Sequence, residues 1–197
     1  MLPFITAAAL AFGAIFVAEF GDKSQLLIHA FATRYAARPV ILGVILAAAI
    51  ISGISVGIGA VIGAALPATL VAVVSGIAFL AVAAWTLRGE DDEEVDEADA
   101  TASRRLAGMA LVLTVAGTFV LSELGDKTML ATFALAATQG ALPTWIGATA
   151  GEVAANLVAV AVGRQVGQRL SPRMVRIGSA VLFAVAGVAV LLGAWLG

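Results

Sequence analysis

The sequence contains no cysteine and a single histidine, His29. Without cysteine the chain forms neither disulfides nor thiolate metal sites. A lone histidine with no thiol nearby also leaves no evident nucleophile–base pair, which argues against an enzyme of that kind. The chemistry of this chain must therefore be sought among its acidic, amide and hydroxyl side chains.

Charged residues are also scarce. They make up 12% of the 197 residues, whereas 61% are hydrophobic and the mean hydropathy is +1.06. A soluble domain has about 25% charged residues, so this composition predicts an all-α integral membrane protein with six transmembrane helices. The apolar runs that predict these helices cover about 4–31, 40–63, 68–87, 106–136, 143–163 and 174–196. No basic segment precedes the first run, which is predicted to be a retained helix rather than a signal peptide.

Acidic residues occur in only two kinds of place. Eight of the thirteen lie between Glu90 and Asp99, where mutual repulsion predicts a solvated linker over residues 89–103. The other five lie within predicted membrane segments: Glu19, Asp22, Glu123, Asp126 and Glu152. Because a carboxylate is costly to bury in a bilayer, each of these five is a functional candidate.

Four of these five acids belong to a six-residue motif that occurs twice. Residues 19–24 read Glu-Phe-Gly-Asp-Lys-Ser, and residues 123–128, 104 positions later, read Glu-Leu-Gly-Asp-Lys-Thr. At the same offset Phe79 aligns with Phe183. The chain is therefore predicted to consist of two related halves.

The two halves are predicted to have opposite orientations in the membrane. Residues 1–88 and 104–197 each contain three predicted helices, an odd number, so their directions across the bilayer are opposite. Inverted repeats of this kind enclose one site near the midplane. The arginines all fall in three alternate loops or beside them: Arg34, Arg38, Arg88, Arg104, Arg105, Arg164, Arg169, Arg173 and Arg176. The positive-inside rule then places both termini outside and the acidic linker in the cytoplasm.

The spacing within the motif predicts a shared binding face. On a helix, Glu19, Asp22 and Lys23 lie on one side because they are three and four residues apart. Inverted symmetry would bring the two copies together around one pocket. That pocket would contain Glu19, Asp22, Lys23 and Ser24 from the first copy and Glu123, Asp126, Lys127 and Thr128 from the second. Gly21 and Gly125 permit a close helix approach or a local break that frees backbone carbonyls.

Such a pocket suits a hard divalent cation. Carboxylate and hydroxyl oxygens are the ligands preferred by Ca²⁺, Mg²⁺ and Mn²⁺. Four carboxylates and two ammonium groups leave a formal charge of −2, which one such ion neutralises. Crowded carboxylates at low dielectric take up protons when the ion leaves, which predicts cation/proton exchange. The alternative is that aspartate–lysine pairs only fasten two helices together.

Residues next to the motif are secondary candidates. Gln25 follows the first copy and Met129 the second; a thioether ligand would favour Mn²⁺, but a membrane methionine also simply fills space. Glu152 has no acidic counterpart in the first half, and it is interpreted as a proton carrier, an added ligand or a helix-to-helix hydrogen-bonding residue. Ser52 and Asn156 align with each other, and they line the site or bond between helices.

The doubled motif closely resembles that of one family. The pattern Glu-x-Gly-Asp-Lys/Arg-Ser/Thr, present twice in a chain of about 200 residues with an acidic central segment, is similar to the GDT family of cation/proton exchangers. That family includes Golgi, chloroplast and bacterial manganese exporters. The resemblance implies exchange of Mn²⁺ or Ca²⁺ for protons, with Glu19, Asp22, Glu123 and Asp126 as ligands. The transported ion would be a substrate, and no cofactor is predicted.

The resemblance and the composition together predict a bacterial plasma-membrane protein whose partners are the cation, protons and lipid, with no nucleic acid. Two other classes remain open at this point. One is an exporter of small cationic solutes such as amino acids, because lysine-exporter-like proteins share a six-helix plan. The other is a membrane scaffold without transport activity. His29 is interpreted as an interfacial residue, with a proton relay as the alternative.

Overall fold

The computed structural model describes residues 2–19, 23–88, 108–162 and 172–196. Those residues are helical apart from short connections and contain no β-strand, so the predicted all-α class is confirmed. Their eight helices are α1 (Leu2–Glu19), α2 (Lys23–Arg34), α3 (Ala37–Ala65), α4 (Ala68–Arg88), α5 (Met109–Glu123), α6 (Lys127–Gln139), α7 (Ala141–Val162) and α8 (Pro172–Leu196). The predicted acidic linker lies outside the described residues.

The prolines mark where several of these helices begin. Each lies within a helix's first three residues or directly before it: Pro3 in α1, Pro39 in α3, Pro67 before α4, Pro143 in α7 and Pro172 in α8. In the first turn a backbone N–H has no partner within the helix, so its absence in proline costs nothing there. The long apolar stretches are thus divided at points that the sequence itself marks.

Three helical stretches are long and apolar enough to cross a bilayer: Ala37–Ala65, Ala68–Arg88 and Arg176–Trp195. A fourth span results if α5 and α6 count as one, although their axes are bent by 81°. The predicted runs 4–31 and 106–136 each contain two helices. In the second run the helices meet at Gly125, where the sequence permits either a close helix approach or a local break, and the structure has the break. The full set of six spans stays a prediction.

The outer surface of the described helices is apolar. Met109, Leu121 and Trp195 are 69%, 72% and 87% exposed, whereas Glu19 and Glu123 are fully buried. A soluble protein rarely shows large contiguous apolar surface, which instead marks contact with a partner or with lipid. This inside-out distribution is that of a membrane protein.

Small residues bring helices of the two halves into close contact. α1 packs along α7, and α3 packs along α5. A Cβ atom added at Gly147 would meet the Ala8 carbonyl oxygen, and one added at Gly43 would lie 2.9 Å from the Val112 carbonyl oxygen. Gly43 and Gly147 are 104 positions apart, as are Ala8 and Val112. The same contact is therefore made twice, by corresponding residues.

The last helices of the two halves also meet at corresponding residues. α4 packs along α8, and the rings of Phe79 and Phe183 stack with their centroids 6.2 Å apart and an interplanar angle of 19°. Both rings are fully buried. A residue that touches its own repeat counterpart lies close to the axis that would relate the two halves, so this contact agrees with the repeat in the sequence.

Candidate metal site

The second motif lies at a break between two helices. α5 ends at Glu123 and α6 begins at Lys127, with Leu124, Gly125 and Asp126 forming the connection. Gly125 has φ +81°, a conformation that costs an L-residue about 1–2 kcal/mol. A Cβ at Gly125 would meet no atom within 4 Å, so the backbone angle, rather than crowding, calls for glycine here.

The break redirects the side chains that follow Glu123. Asp126 has extended backbone angles, φ −72° and ψ 166°, and its N–H donates to the Glu123 carbonyl oxygen at 3.2 Å. Asp126 therefore precedes the first turn of α6, where the helix dipole favours a negative charge. The predicted sharing of one continuous helix face does not apply to this copy of the motif.

A small hydrogen-bond network holds the acids of the second copy. The Thr128 hydroxyl lies 3.4 Å from Glu123 Oε2 and 3.4 Å from Asp126 Oδ2 and can donate to either. The Gly125 N–H donates to Met129 Sδ at 3.4 Å. Thr128 thus orients the carboxylates, while Met129 provides a partner for the backbone at the break. Lys127 is buried beside them.

The first copy repeats part of this arrangement. α1 ends at Glu19, and the Ser24 hydroxyl donates to Glu19 Oε2 at 3.1 Å. The Gln25 side-chain amide donates to the Glu19 carbonyl oxygen at 2.8 Å. Ser24 thus bonds to the Glu19 carboxylate as Thr128 bonds to that of Glu123. Gln25 and Met129, at corresponding positions, both bond to nearby backbone. Residues 20–22, and with them Asp22, lie outside the described residues, as does the side chain of Lys23.

Acids of the two copies converge on one point. Glu19, Glu123 and Asp126 each offer a carboxylate oxygen, and these oxygens all lie within 4.8 Å of one another. Two oxygens that bind the same Ca²⁺ ion at about 2.3–2.6 Å are at most about 5 Å apart. The three carboxylates can therefore ligate one ion without a large rearrangement.

The three acids combine close spacing with deep burial. Glu19, Glu123 and Asp126 are 0%, 1% and 4% exposed. Like charges this close repel, and the repulsion is stronger at the low dielectric of a buried site. A divalent ion or bound protons would remove that repulsion, so the cluster is suited to binding either one.

Two further hydroxyl residues near the cluster were not singled out from the sequence. Ser55 and Thr132 line a cavity together with Glu152, the motif residue Thr128 and Met129, which follows the motif. A serine or threonine in a membrane helix usually bonds to its own backbone, so neither is distinctive by itself. For Thr132 the repeat could have provided a signal, because Thr132 and Glu152 are polar whereas the residues that align with them, Ile28 and Ala48, are apolar.

We expect Gly125→Ala to lower the unfolding temperature of the detergent-solubilised protein. The change forces a side chain into the left-handed conformation, at a cost of about 1–2 kcal/mol. Gly117→Ala is the matched control, because Gly117 lies within α5 and a Cβ there meets nothing within 4 Å. An unfolding temperature for Gly125→Ala equal to that of Gly117→Ala would contradict the described break.

Comparison with known proteins gives a consistent set of relatives. A family model described as "Divalent cation/proton antiporter GDT1" matches residues 7–94 and 111–197. The "Putative manganese exporter" of Vibrio cholerae is 28% identical over 184 residues, which cover 92% of this chain and 88% of that protein. No solved structure matches the chain.

Plant relatives are longer than this chain. "GDT1-like protein 1, chloroplastic" of Oryza sativa subsp. japonica is 37% identical over 124 residues, 59% of this chain and 36% of that protein. "Protein PAM71, chloroplastic" of Arabidopsis thaliana is 34% identical over 201 residues, 90% of this chain and 54% of that protein. The match thus spans little more than a third of the rice protein and about half of the Arabidopsis protein.

Proposed function

This chain belongs to the GDT1 family of divalent cation/proton antiporters, and from that premise we propose that it exports Mn²⁺, or Ca²⁺, in exchange for protons. The family consists of transporters rather than enzymes. The observation that carries the proposal is the convergence of Glu19 with Glu123 and Asp126, because it joins both motifs in one oxygen site. The name of the Vibrio cholerae relative favours Mn²⁺ as the ion.

The exchange follows from the charges of the site. A cation that reaches the cluster displaces protons from the carboxylates and takes their place as the counter-charge. Asp22 completes the ligand set from the first copy, while Ser24 and Thr128 hold the glutamates in place through the hydrogen bonds described above. Protons arriving from the other side then compete for the same oxygens and release the ion.

Lys23 and Lys127 set the net charge of the site. Their two ammonium groups offset two of the four motif carboxylates, so that one divalent ion balances the remainder. Such a site is neutral both with one bound cation and with two bound protons. A neutral site can change its exposure from one side to the other at a lower free-energy cost than a charged one, because no net charge is buried at low dielectric. Met129 stabilises the break before α6, Gln25 bonds to the last residue of α1, and both act as ligands only secondarily.

Alternating access requires two halves that move against each other. In the proposed arrangement α1 with α2, and α5 with α6, are the broken first spans of two inverted three-helix repeats. The paired contacts of Gly43 and Gly147, and the stacking of Phe79 on Phe183, support it. Broken helices beside a midplane site are common in secondary transporters.

The proposed setting is a bacterial plasma membrane. The loops that contain or adjoin arginines, including the linker 89–103 that Arg88 and Arg104 flank, face the cytoplasm, and both termini face outward, as the charge distribution predicts. In this orientation the proton gradient across the membrane drives the cation out of the cell.

Reconstituted liposomes test the proposal. We expect vesicles with an acidic interior to accumulate Mn²⁺ from outside as protons leave, and we expect a protonophore to abolish the uptake. Protein-free vesicles, and vesicles in which external lysine or arginine competes with Mn²⁺, are the controls. Uptake that ignores the proton gradient would contradict exchange, and competition by the amino acids would favour a solute exporter instead.

A further inference from the structure

We infer that the cavity bounded by α3, α6 and α7 is a second, transient binding subsite for the divalent cation, separate from the carboxylate cluster. The inference rests on the proposed function, because it assumes that a cation is transported. Besides Ile51, the cavity is lined by Ser52, Ser55, Thr128, Met129, Thr132 and Glu152.

The lining provides ligands of the same class as the main site. It includes a carboxylate, four hydroxyl oxygens and one thioether, a set that suits Mn²⁺ in particular. The Ser55 hydroxyl donates to the Ile51 carbonyl oxygen at 2.8 Å, so its oxygen lone pairs stay available to a cation. Thr128 lies in both places, since its hydroxyl also bonds to the acids of the cluster. The subsite is therefore directly adjacent to the main site.

Glu152 is the residue that points to a ligand. It is 3% exposed, and its Oε1 atom has no hydrogen-bond partner among the described residues. A buried carboxyl oxygen without a partner costs free energy that a bound cation or its water would offset. The Asn156 side-chain amide donates to the Glu152 carbonyl oxygen at 3.0 Å, which leaves the Glu152 side chain available to the cavity.

The repeat counterparts of two lining residues show that their polarity is not needed for packing. Glu152 corresponds to Ala48, and Thr132 corresponds to Ile28. Ala48 and Ile28 are themselves buried, 0% and 3% exposed. Apolar side chains thus fill the corresponding places of the first half, so the oxygen atoms of Glu152 and Thr132 serve the ion rather than the fold.

The packing of α3 on α6 shows where the subsite leads. Beyond the cavity, a Cβ atom at Gly59 would meet the Phe133 carbonyl oxygen, and one at Gly63 would lie 2.9 Å from the Ala137 carbonyl oxygen. Both contact positions advance by four residues along each helix, so α3 and α6 run parallel and end on the same side of the molecule. The cavity thus lies between the cluster and a closed seam, and separation of α3 from α6 would open it to that side.

A cysteine scan with Cd²⁺ tests the subsite, since the chain has no native cysteine. In Ser55→Cys the new thiolate would bind Cd²⁺ together with Glu152, because thiolates prefer soft ions. We expect Cd²⁺ to inhibit Mn²⁺ transport by Ser55→Cys at a concentration at least about tenfold lower than for the wild type. The double variant Ser55→Cys/Glu152→Gln should lose this sensitivity.

Val44→Cys is the matched control, because Val44 also lies on α3 but lines a different cavity, between α2, α3 and α7, whose described lining contains no carboxylate. Its Cd²⁺ sensitivity should equal that of the wild type. If Ser55→Cys gains no sensitivity, if Glu152→Gln fails to remove it, or if Val44→Cys gains as much, the subsite is overturned. Absence of Mn²⁺ transport by the wild type would instead overturn the proposed function on which the subsite rests.

Discussion

Replacement of Glu123 by glutamine is expected to abolish Mn²⁺ binding and transport. Glutamine has the same size and can still accept the hydrogen bond of Thr128, but it removes one of three converging charges. Removal of one partner from a buried charged pair costs about 3–5 kcal/mol. That energy corresponds to a loss of affinity of more than about a hundredfold, which calorimetric titration with Mn²⁺ and flux into liposomes would both detect.

The same variant separates a transporter from a scaffold. If the acids only fasten helices, Glu123→Gln should unfold the protein; if they bind a cation, the metal-free variant should be at least as stable, because repulsion between buried carboxylates is relieved. Thermal unfolding in detergent decides between the two. Glu94→Gln makes the same chemical change in the acidic linker and should leave flux intact. Wild-type flux in Glu123→Gln would eliminate the proposed site.

Binding of Mn²⁺ is expected to release protons, so that affinity falls as the pH is lowered. The metal and the protons compete for the carboxylates of Glu19, Glu123 and Asp126, and each proton displaced lowers the affinity by up to about tenfold per pH unit. The linkage arises because a metal ion binds carboxylates only in their deprotonated form. Calorimetry in two buffers that differ in ionisation enthalpy counts the protons released.

A double variant provides the control for this linkage. Glu19→Gln/Glu123→Gln should show neither metal-dependent heat nor proton release at any pH. Affinity that is independent of pH, together with heats that do not depend on the buffer, would mean that the ion and protons do not share the site. Coupled exchange would then need a separate proton path.

Much of this protein could be predicted from the sequence because its charges are so few. Only 12% of the residues are charged. A carboxylate inside an apolar run is therefore a functional candidate, because its burial in a bilayer costs free energy. The repeat also pairs Glu19 with Glu123. Three of the four motif acids, Glu19, Glu123 and Asp126, do converge in the structure, while their role as ligands stays a prediction.

The local geometry of the motif was harder to predict. An apolar run that continues through Gly125 gives no sign that the helix must break there, because glycine is compatible with both a helix and a left-handed turn. Only the coordinates show that α5 ends at Glu123 and that α6 is bent away by 81°. That bend decides which way Asp126 points.

The sequence by itself determined the class of this protein, the candidate residues for ion binding and their duplication, since these depend on composition and on chemical type. The tertiary structure alone decided that carboxylate oxygens of Glu19, Glu123 and Asp126 meet, and that Glu152 lines one cavity together with Thr128. Both properties depend on contacts between residues far apart in the chain, such as Gly43 with Val112 and Phe79 with Phe183. Local patterns do not specify such contacts, because they arise only when both halves pack together.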